Sequence, residues 1–217
     1  MLFLCFTNRC GSNYLAQLLA STGAFNEAGE FFNAETVLQH AAALGLRSVP
    51  AYVAALPGLV PVRRFLAAKA SADQLVMLAD AGVLPLGCQY VLLERQDRLA
   101  QAVSRVIASQ NLRWTTAHAP ALADEHLVYD GAAIALEMEK IANGNAALYA
   151  FFAANGLVPA HVTYEALLRD PQGVVDVIAA RMGVAGLRID PAAITIERQT
   201  GAVNVAWERR FRAMVDR

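Results

Sequence analysis

Charge is scarce in this chain. Only 17% of its 217 residues are Asp, Glu, Lys or Arg, and 18 basic side chains nearly cancel 19 acidic ones for a net charge of −1. The global basic field of a nucleic-acid binder is therefore absent, and any anion bound here must be held by local donors. Cysteine is equally sparse. Cys5, Cys10 and Cys88 form no CxxC pair, and an odd number of them argues against a disulfide framework. Cys5 reads as strand filler. Cys10 sits in a glycine loop with no histidine adjacent in sequence to activate it, so packing is favoured over a nucleophilic role. The four histidines, His40, His118, His126 and His161, lack the spacing of metal ligands, and no metal site is indicated.

Long apolar runs suited to a membrane are missing too. The longest stretch without a formal charge, Ile141 to Tyr164, contains Asn143, Gly144, Asn145, Asn155, Gly156 and Pro159, which are costly in lipid and which punctuate a helix–loop–strand well. Ser48 to Val62 carries Pro50, Pro57 and Pro61 and is too short to span. Leu2 to Phe6 is shorter than a signal-peptide core, and Arg9 follows at once. These features lead us to expect a soluble cytoplasmic protein with no membrane span.

What is abundant is apolar residues, 56% of the chain, enough for a large core and for apolar surface that a partner chain could cover. Leu2 to Phe6 is a continuous apolar run of strand formers, as expected of a strand buried on both faces. Thr7 to Ser12 reads as a loop and Asn13 to Ser21 as a helix with Leu15, Leu18 and Leu19 on one face, stopped by Gly23. Phe65 to Lys69 is a weaker strand candidate after a proline-rich region. Tyr90 to Leu93 is a stronger one, leading to Glu94 and Arg95. Asp97 is a credible N-cap for a helix from Arg98 through Gln110. Arg113 to His126 reads as loop, Ala132 to Asn155 as a long helix, Ala160 to Tyr164 as a strand, and Glu165 to Met182 as a helix interrupted near Pro171. Strands alternating with helices imply an α/β fold, a central parallel sheet with helices on both faces. One domain over residues 1–217 is expected, with about 34–64 and 113–130 as insertions or acceptor-binding elements.

The loop Thr7-Asn8-Arg9-Cys10-Gly11-Ser12-Asn13 lies between a buried strand and a helix start, where unpaired N–H groups and the helix dipole favour an anion. Gly11 permits close backbone approach, Ser12 offers a hydroxyl, and Arg9 offers fork-shaped charged donors. The Lys-Ser/Thr end of a Walker loop is missing, which counts against an ATPase or kinase. A tight strand-to-helix turn with a surface arginine is the plainer alternative.

Phe6 to Leu15 resembles the 5′-phosphosulfate loop of sulfotransferases that use 3′-phosphoadenosine 5′-phosphosulfate (PAPS), R-[S/T/C]-G-S-[T/N]-x-L. The continuation Leu18 to Gly23, then Glu27-Ala28-Gly29-Glu30-Phe31-Phe32, resembles the bacterial trehalose sulfotransferase family. The resemblance implies a P-loop-like sulfotransferase fold in which the loop amides over Cys10, Gly11, Ser12 and Asn13, together with Arg9 and Ser12 themselves, bind the phosphosulfate. Glu94 to Ser104 is similar to the family's 3′-phosphate signature, so Arg95 and Ser104 are implied to grip the nucleotide, with Arg98 as the alternative arginine. Val162 to Pro171 looks like the family's Y-E-x-L-x-x-D-P segment, read as a strand end, a cap and a turn. Lys69 falls where the family often has a lysine facing the phosphosulfate, although the usual glycine beside it is absent. Arg198 and the tail from Trp207 to Arg212 resemble the closing segment that covers the nucleotide.

For such a protein the resemblance implies sulfuryl transfer from PAPS to a hydroxyl, leaving 3′-phosphoadenosine 5′-phosphate, with no metal. Arg9 and Lys69 would serve the charges. Glu30 is the candidate base, as a partly buried carboxylate with raised proton affinity, and Glu27 is its rival. Phe31, Gln110 and Trp114 lie where acceptor-binding elements are expected, and a core or dimer-contact role is equally open for Trp114. Carbohydrate or glycolipid acceptors and homodimers occur in the family. The competing readings are a P-loop-type nucleotide kinase or NTPase, and a non-catalytic nucleotide-binding or interaction protein.

Overall fold

A computed structural model describes residues 1–61, 63–84, 87–114, 119–196 and 200–215. Four strands, β1 (Leu2–Phe6), β2 (Ala67–Ala70), β3 (Gln89–Glu94) and β4 (Ala160–Thr163), form one sheet in the order β2-β1-β3-β4, with every pairing parallel. The helices in chain order are α1 (Ser12–Ser21), α2 (Ala34–Leu44), α3 (Val49–Leu59), α4 (Ala72–Asp80), α5 (Arg98–Asn111), α6 (Gly131–Ala154), α7 (Tyr164–Arg169), α8 (Pro171–Arg181) and α9 (Ala202–Val215).

The sheet divides two apolar layers because side chains alternate along each strand. Leu2, Leu4 and Phe6 meet Leu15, Leu18 and Leu19 of α1 and Val174, Val175 and Ile178 of α8. On the other face Phe3 and Cys5 meet Tyr52 and Leu56 of α3, Leu75 and Leu78 of α4, and Leu148 and Phe152 of α6. A third cluster stands off the sheet, where Val103 and Val106 of α5 pack with Ile134 and Ile141 of α6 and Trp207 and Phe211 of α9. The helix after β1 therefore covers one face and the helix after β2 the other. A crevice opens between neighbouring strands whose connections diverge in this way, at their carboxyl ends.

Local chemistry fixes the elements around that crevice. Asp97 caps α5 by accepting from Ala100 N at 2.9 Å, as the sequence predicts. Asp170 accepts from Gly173 N at 2.9 Å with Pro171 in the first turn, so the interruption expected near Pro171 is there and divides the segment into α7 and α8. The second strand begins at Ala67 rather than Phe65. Phe65 forms only an isolated bridge to Phe25. The proline-rich segment 34–64 holds two helices: Ser48 caps α3 by accepting from Ala51 N at 3.3 Å, Pro50 sits in its first turn, and Pro57 lies near its end. Pro57 removes one helical hydrogen bond but leaves the preceding turns intact.

Residues 25–29 run along the outer edge of β2. Bridges join Phe25 to Phe65 and Gly29 to Ala68, and Lys69 N donates to Gly29 O at 2.9 Å. Between them, buried Asn26 imitates a strand peptide: its carboxamide accepts from Ala67 N at 2.7 Å and donates to Ala67 O at 2.9 Å. Among the described residues no single helix is long and apolar enough to cross a membrane; α2 and α3 reach that hydropathy only together, across an 84° bend.

Candidate active site

The loop from Thr7 to Gly11 leaves the centre of the sheet and turns into α1. Arg9 (φ 68°) and Gly11 (φ 91°) both take left-handed backbone conformations, costly for the arginine and free for the glycine. Gly11 is required twice, since a Cβ there would lie 2.5 Å from Cδ2 of Tyr164. The first turn of α1 carries no side-chain cap and no acidic residue, which leaves its N–H groups and dipole directed at an incoming anion. Cys10 is fully buried and burial pushes its thiol up to about 12, so only its backbone can serve a ligand. Such an environment suits packing rather than nucleophilic attack.

Lys69 stands third in β2 beside α1. It is 6% exposed and its ammonium donates to Asn13 Oδ1. Burial holds its pKa below the usual lysine value, while the carboxylates of Glu30 and Glu27 act in the opposite sense. The edge segment and the residue after it thus bring both carboxylates within electrostatic reach of Lys69. Both are exposed rather than partly buried, which corrects the environment expected for Glu30: the Asn26 clamp turns the backbone, not these side chains, inward. Phe31 is half-buried against the core, and its carbonyl accepts from Tyr52 Oη at 2.6 Å.

Arg95 ends up beside the same loop. It is 9% exposed at the turn after β3, its guanidinium stacks 4.8 Å over the ring of Tyr164, and its buried Nε has no hydrogen-bond partner among the described residues. Glu165 accepts from Gln96 N at 3.1 Å and Asp97 N at 3.4 Å and so pins that turn. Arg98 is exposed and lies towards Tyr149. Ser104, two turns into α5, accepts from Arg9 Nε at 2.9 Å, and Arg9 also donates to Trp114 O at 2.8 Å. The guanidinium of Arg9 is pushed below its usual pKa by burial and by Arg95 and Arg105 nearby. The two segments singled out in the sequence therefore meet, through the Tyr164 ring that touches Gly11 and Arg95 and through the Arg9–Ser104 hydrogen bond. A cavity of about 210 Å³ continues from Arg9 and Ser104 past Asn111, Arg113, Asp124 and Asn204.

The remaining expected residues are arranged differently. The Gln110 carboxamide pairs with the Val128 backbone in both directions, at 2.8 and 2.9 Å, and so fastens the far end of the 113–130 segment. Arg105 lies 5.1 Å over the Trp114 ring. Trp207 and Phe211 are core residues, and Arg210 stacks 4.0 Å over Tyr129. Arg198 lies outside the described residues. Sequence reasoning missed Tyr164 as part of the site, having assigned its segment a structural role. Only the assembled sheet, which puts β4 beside β3 and β3 beside β1, brings its ring against Gly11.

Solved structures with a similar fold include sulfotransferases. A sulfotransferase domain from the curacin biosynthetic pathway aligns at a TM-score of 0.55 and 18% identity, covering 95% of this chain and 82% of that one. A sulfotransferase from Alicyclobacillus acidocaldarius aligns at 0.55 and 16%, covering 100% and 95%. These likenesses place the chain in the sulfotransferase fold. Residues 70–214 match the Stf0 sulphotransferase family model, and the chain belongs to that family. No curated protein matches it.

Proposed function

We propose that this sulfotransferase takes its sulfuryl group from PAPS and delivers it to a hydroxyl of a carbohydrate or glycolipid. One observation supports the choice of donor: an uncapped helix N-terminus follows Gly11, which abuts the Tyr164 ring, and a buried arginine with an unpartnered Nε among the described residues stacks on that same ring. An orphaned buried donor is costly unless a ligand supplies its acceptor. A molecule with a phosphosulfate at one end and a phosphate at the other fits that set. The loop amides with Arg9 and Lys69 would hold the first, and Arg95 with Ser104 the second. Bound there, PAPS supplies an activated sulfuryl group.

The chain's own residues supply position and charge. Arg9 and Lys69 offer positive charge beside the loop, in a setting where burial strengthens each interaction. In this reading Glu30, with Glu27 as its rival, takes the acceptor's proton near the Lys69 ammonium. The acceptor hydroxyl then meets the sulfuryl group on the Lys69 and Glu30 side of the loop, and the cavity running from Arg9 and Ser104 lies towards the nucleotide's 3′ end. A homodimer, expected from the resemblance, is tested by sedimentation.

Calorimetric titration with 3′-phosphoadenosine 5′-phosphate tests the donor, and sulfate transfer over an acceptor panel tests the reaction. Arg95→Ala should weaken the nucleotide roughly 10- to 100-fold, the loss of a charge-assisted hydrogen bond. Glu30→Gln should leave binding intact and lower turnover. Unchanged affinity in Arg95→Ala would overturn the nucleotide assignment. Binding with no transfer to any acceptor would favour a non-catalytic nucleotide-binding protein.

A further inference from the structure

Beneath the anion loop lies a polar cluster with no part in the reading above. Gln101 on α5 is 0% exposed, and its Nε2 donates to Asn8 O at 2.8 Å and to Thr7 Oγ1 at 3.0 Å. The Thr7 hydroxyl donates in turn to Asn145 Oδ1 on α6 at 3.1 Å. Gly144 lets α6 approach so closely that a Cβ there would meet the Thr7 methyl at 2.8 Å. The end of β1 is thereby tied to two helices at once.

This cluster is poorly suited to stability alone. Gln101 Oε1 and Asn145 Nδ2 are buried without hydrogen-bond partners among the described residues. A methionine or leucine at 101 would fill the space without burying an unpaired carbonyl. The glutamine's distinguishing contribution is the pair of N–H bonds it sends into the loop. In a trans peptide the C=O and the following N–H point in opposite directions. Drawing Asn8 O towards α5 therefore turns the N–H of Arg9 away from α5. Arg9 is also the residue held at φ 68°, a conformation that a non-glycine keeps only when its surroundings over-determine it. Successive N–H groups bent through such a residue form a concavity for anions.

We propose that Gln101 is a positioning residue: through Asn8 O it fixes the Asn8–Arg9 peptide so that the Arg9 N–H faces the 5′ anion of the donor. This rests on the reading of the loop as the donor's phosphosulfate site. The test compares the wild-type chain with Gln101→Met, which keeps the volume and removes the hydrogen bonds that Gln101 Nε2 donates to Asn8 O, Thr7 Oγ1 and Thr7 O. Two readouts separate positioning from damage: the Arg9 amide, by nitrogen-15 shift and hydrogen exchange without ligand, and calorimetric titration with two nucleotides. The Arg9 amide should move and exchange at least about tenfold faster, and affinity for adenosine 3′,5′-bisphosphate should fall roughly 10- to 100-fold. Affinity for adenosine 3′-monophosphate, which lacks the 5′ group, should change less than about threefold. An unmoved Arg9 amide, or equal losses for both nucleotides, overturns the proposal. Should Gln101→Met not fold, Thr7→Val keeps the Gln101–Asn8 bond. It is expected to leave the Arg9 amide in place, and a shift there shows that packing rather than Gln101 sets the loop. Wild-type protein that binds neither nucleotide defeats the donor assignment, while the ligand-free amide measurement still decides the role of Gln101.

Discussion

Gly11→Ala offers the sharpest separation of backbone strain from steric exclusion at the cleft. The backbone there has φ 91°, and a methyl would sit 2.5 Å from Tyr164 Cδ2 and 3.0 Å from Cε2. Gly23 provides the matched control, with φ 74° and nothing within 4 Å of an added Cβ. Alanine at 23 should cost only the left-handed conformation, about 1–2 kcal/mol. Alanine at 11 should cost that plus an overpacking penalty of about 1–3 kcal/mol. For a chain of this size each kcal/mol lowers the melting midpoint by roughly 2–4 °C, so the two variants should melt several degrees apart. The displaced Tyr164 carries Arg95 stacked upon it, so Gly11→Ala should also weaken 3′-phosphoadenosine 5′-phosphate in calorimetry and Gly23→Ala should not. Adding Tyr164→Ala to Gly11→Ala should recover part of the stability but not the affinity. If the two glycine variants melt together and bind alike, the Tyr164 contact does not order the cleft and the argument fails.

Lys69 predicts a pH effect of definite sign. Its folded pKa lies below 10.5 because of burial, so the unfolded chain binds more protons than the folded one between those values. Stability relative to Lys69→Met should therefore rise with pH through the alkaline window below 10.5, as read from melting midpoints; a falling difference would contradict the assigned environment. Tyr149 should behave oppositely: its hydrogen bond to Glu94 raises its pKa from 10 to about 12. Tyr149→Phe should destabilise by about 1 kcal/mol, discounted because the ring is half exposed. The wild-type advantage should fade as pH climbs from 10 towards 12. Thiol labelling checks the loop's chemistry, since Cys5 and Cys10 are fully buried and Cys88 is only partly so. Native protein should label at Cys88 alone and denatured protein at all three, as mass spectrometry would show.

Periodicity and capping made much of the scaffold readable before any coordinates. Leu2 to Phe6 announces a two-sided buried strand, and Asp97 and the Asn155-Gly156 pair mark helix ends where they are found. Ala67-Ala68-Lys69-Ala70 has no β-branched residue, and it is a strand because β1 and Asn26 hold it from both sides. The helices in 34–64 were obscured by prolines that fall in the first turn and near the end of α3. For the site, residue types were legible and their contacts were not. Nothing local says that Arg9 will rest on Ser104, since that follows from β3 pairing beside β1 and launching α5 across the loop. Tyr164 and Gln101 stayed hidden for the same reason: each matters through a partner brought near by sheet order.

The Asn26 clamp has a consequence for anyone altering this protein. The strip it fastens both presents Glu27 and Glu30 and occupies the free N–H and C=O groups along the flank of β2. An unpaired sheet flank is a template on which other chains can add. Loosening the strip to admit bulkier acceptors would also bare that template, so variants at 26 selected for wider scope should be screened for fibril or precipitate formation alongside turnover.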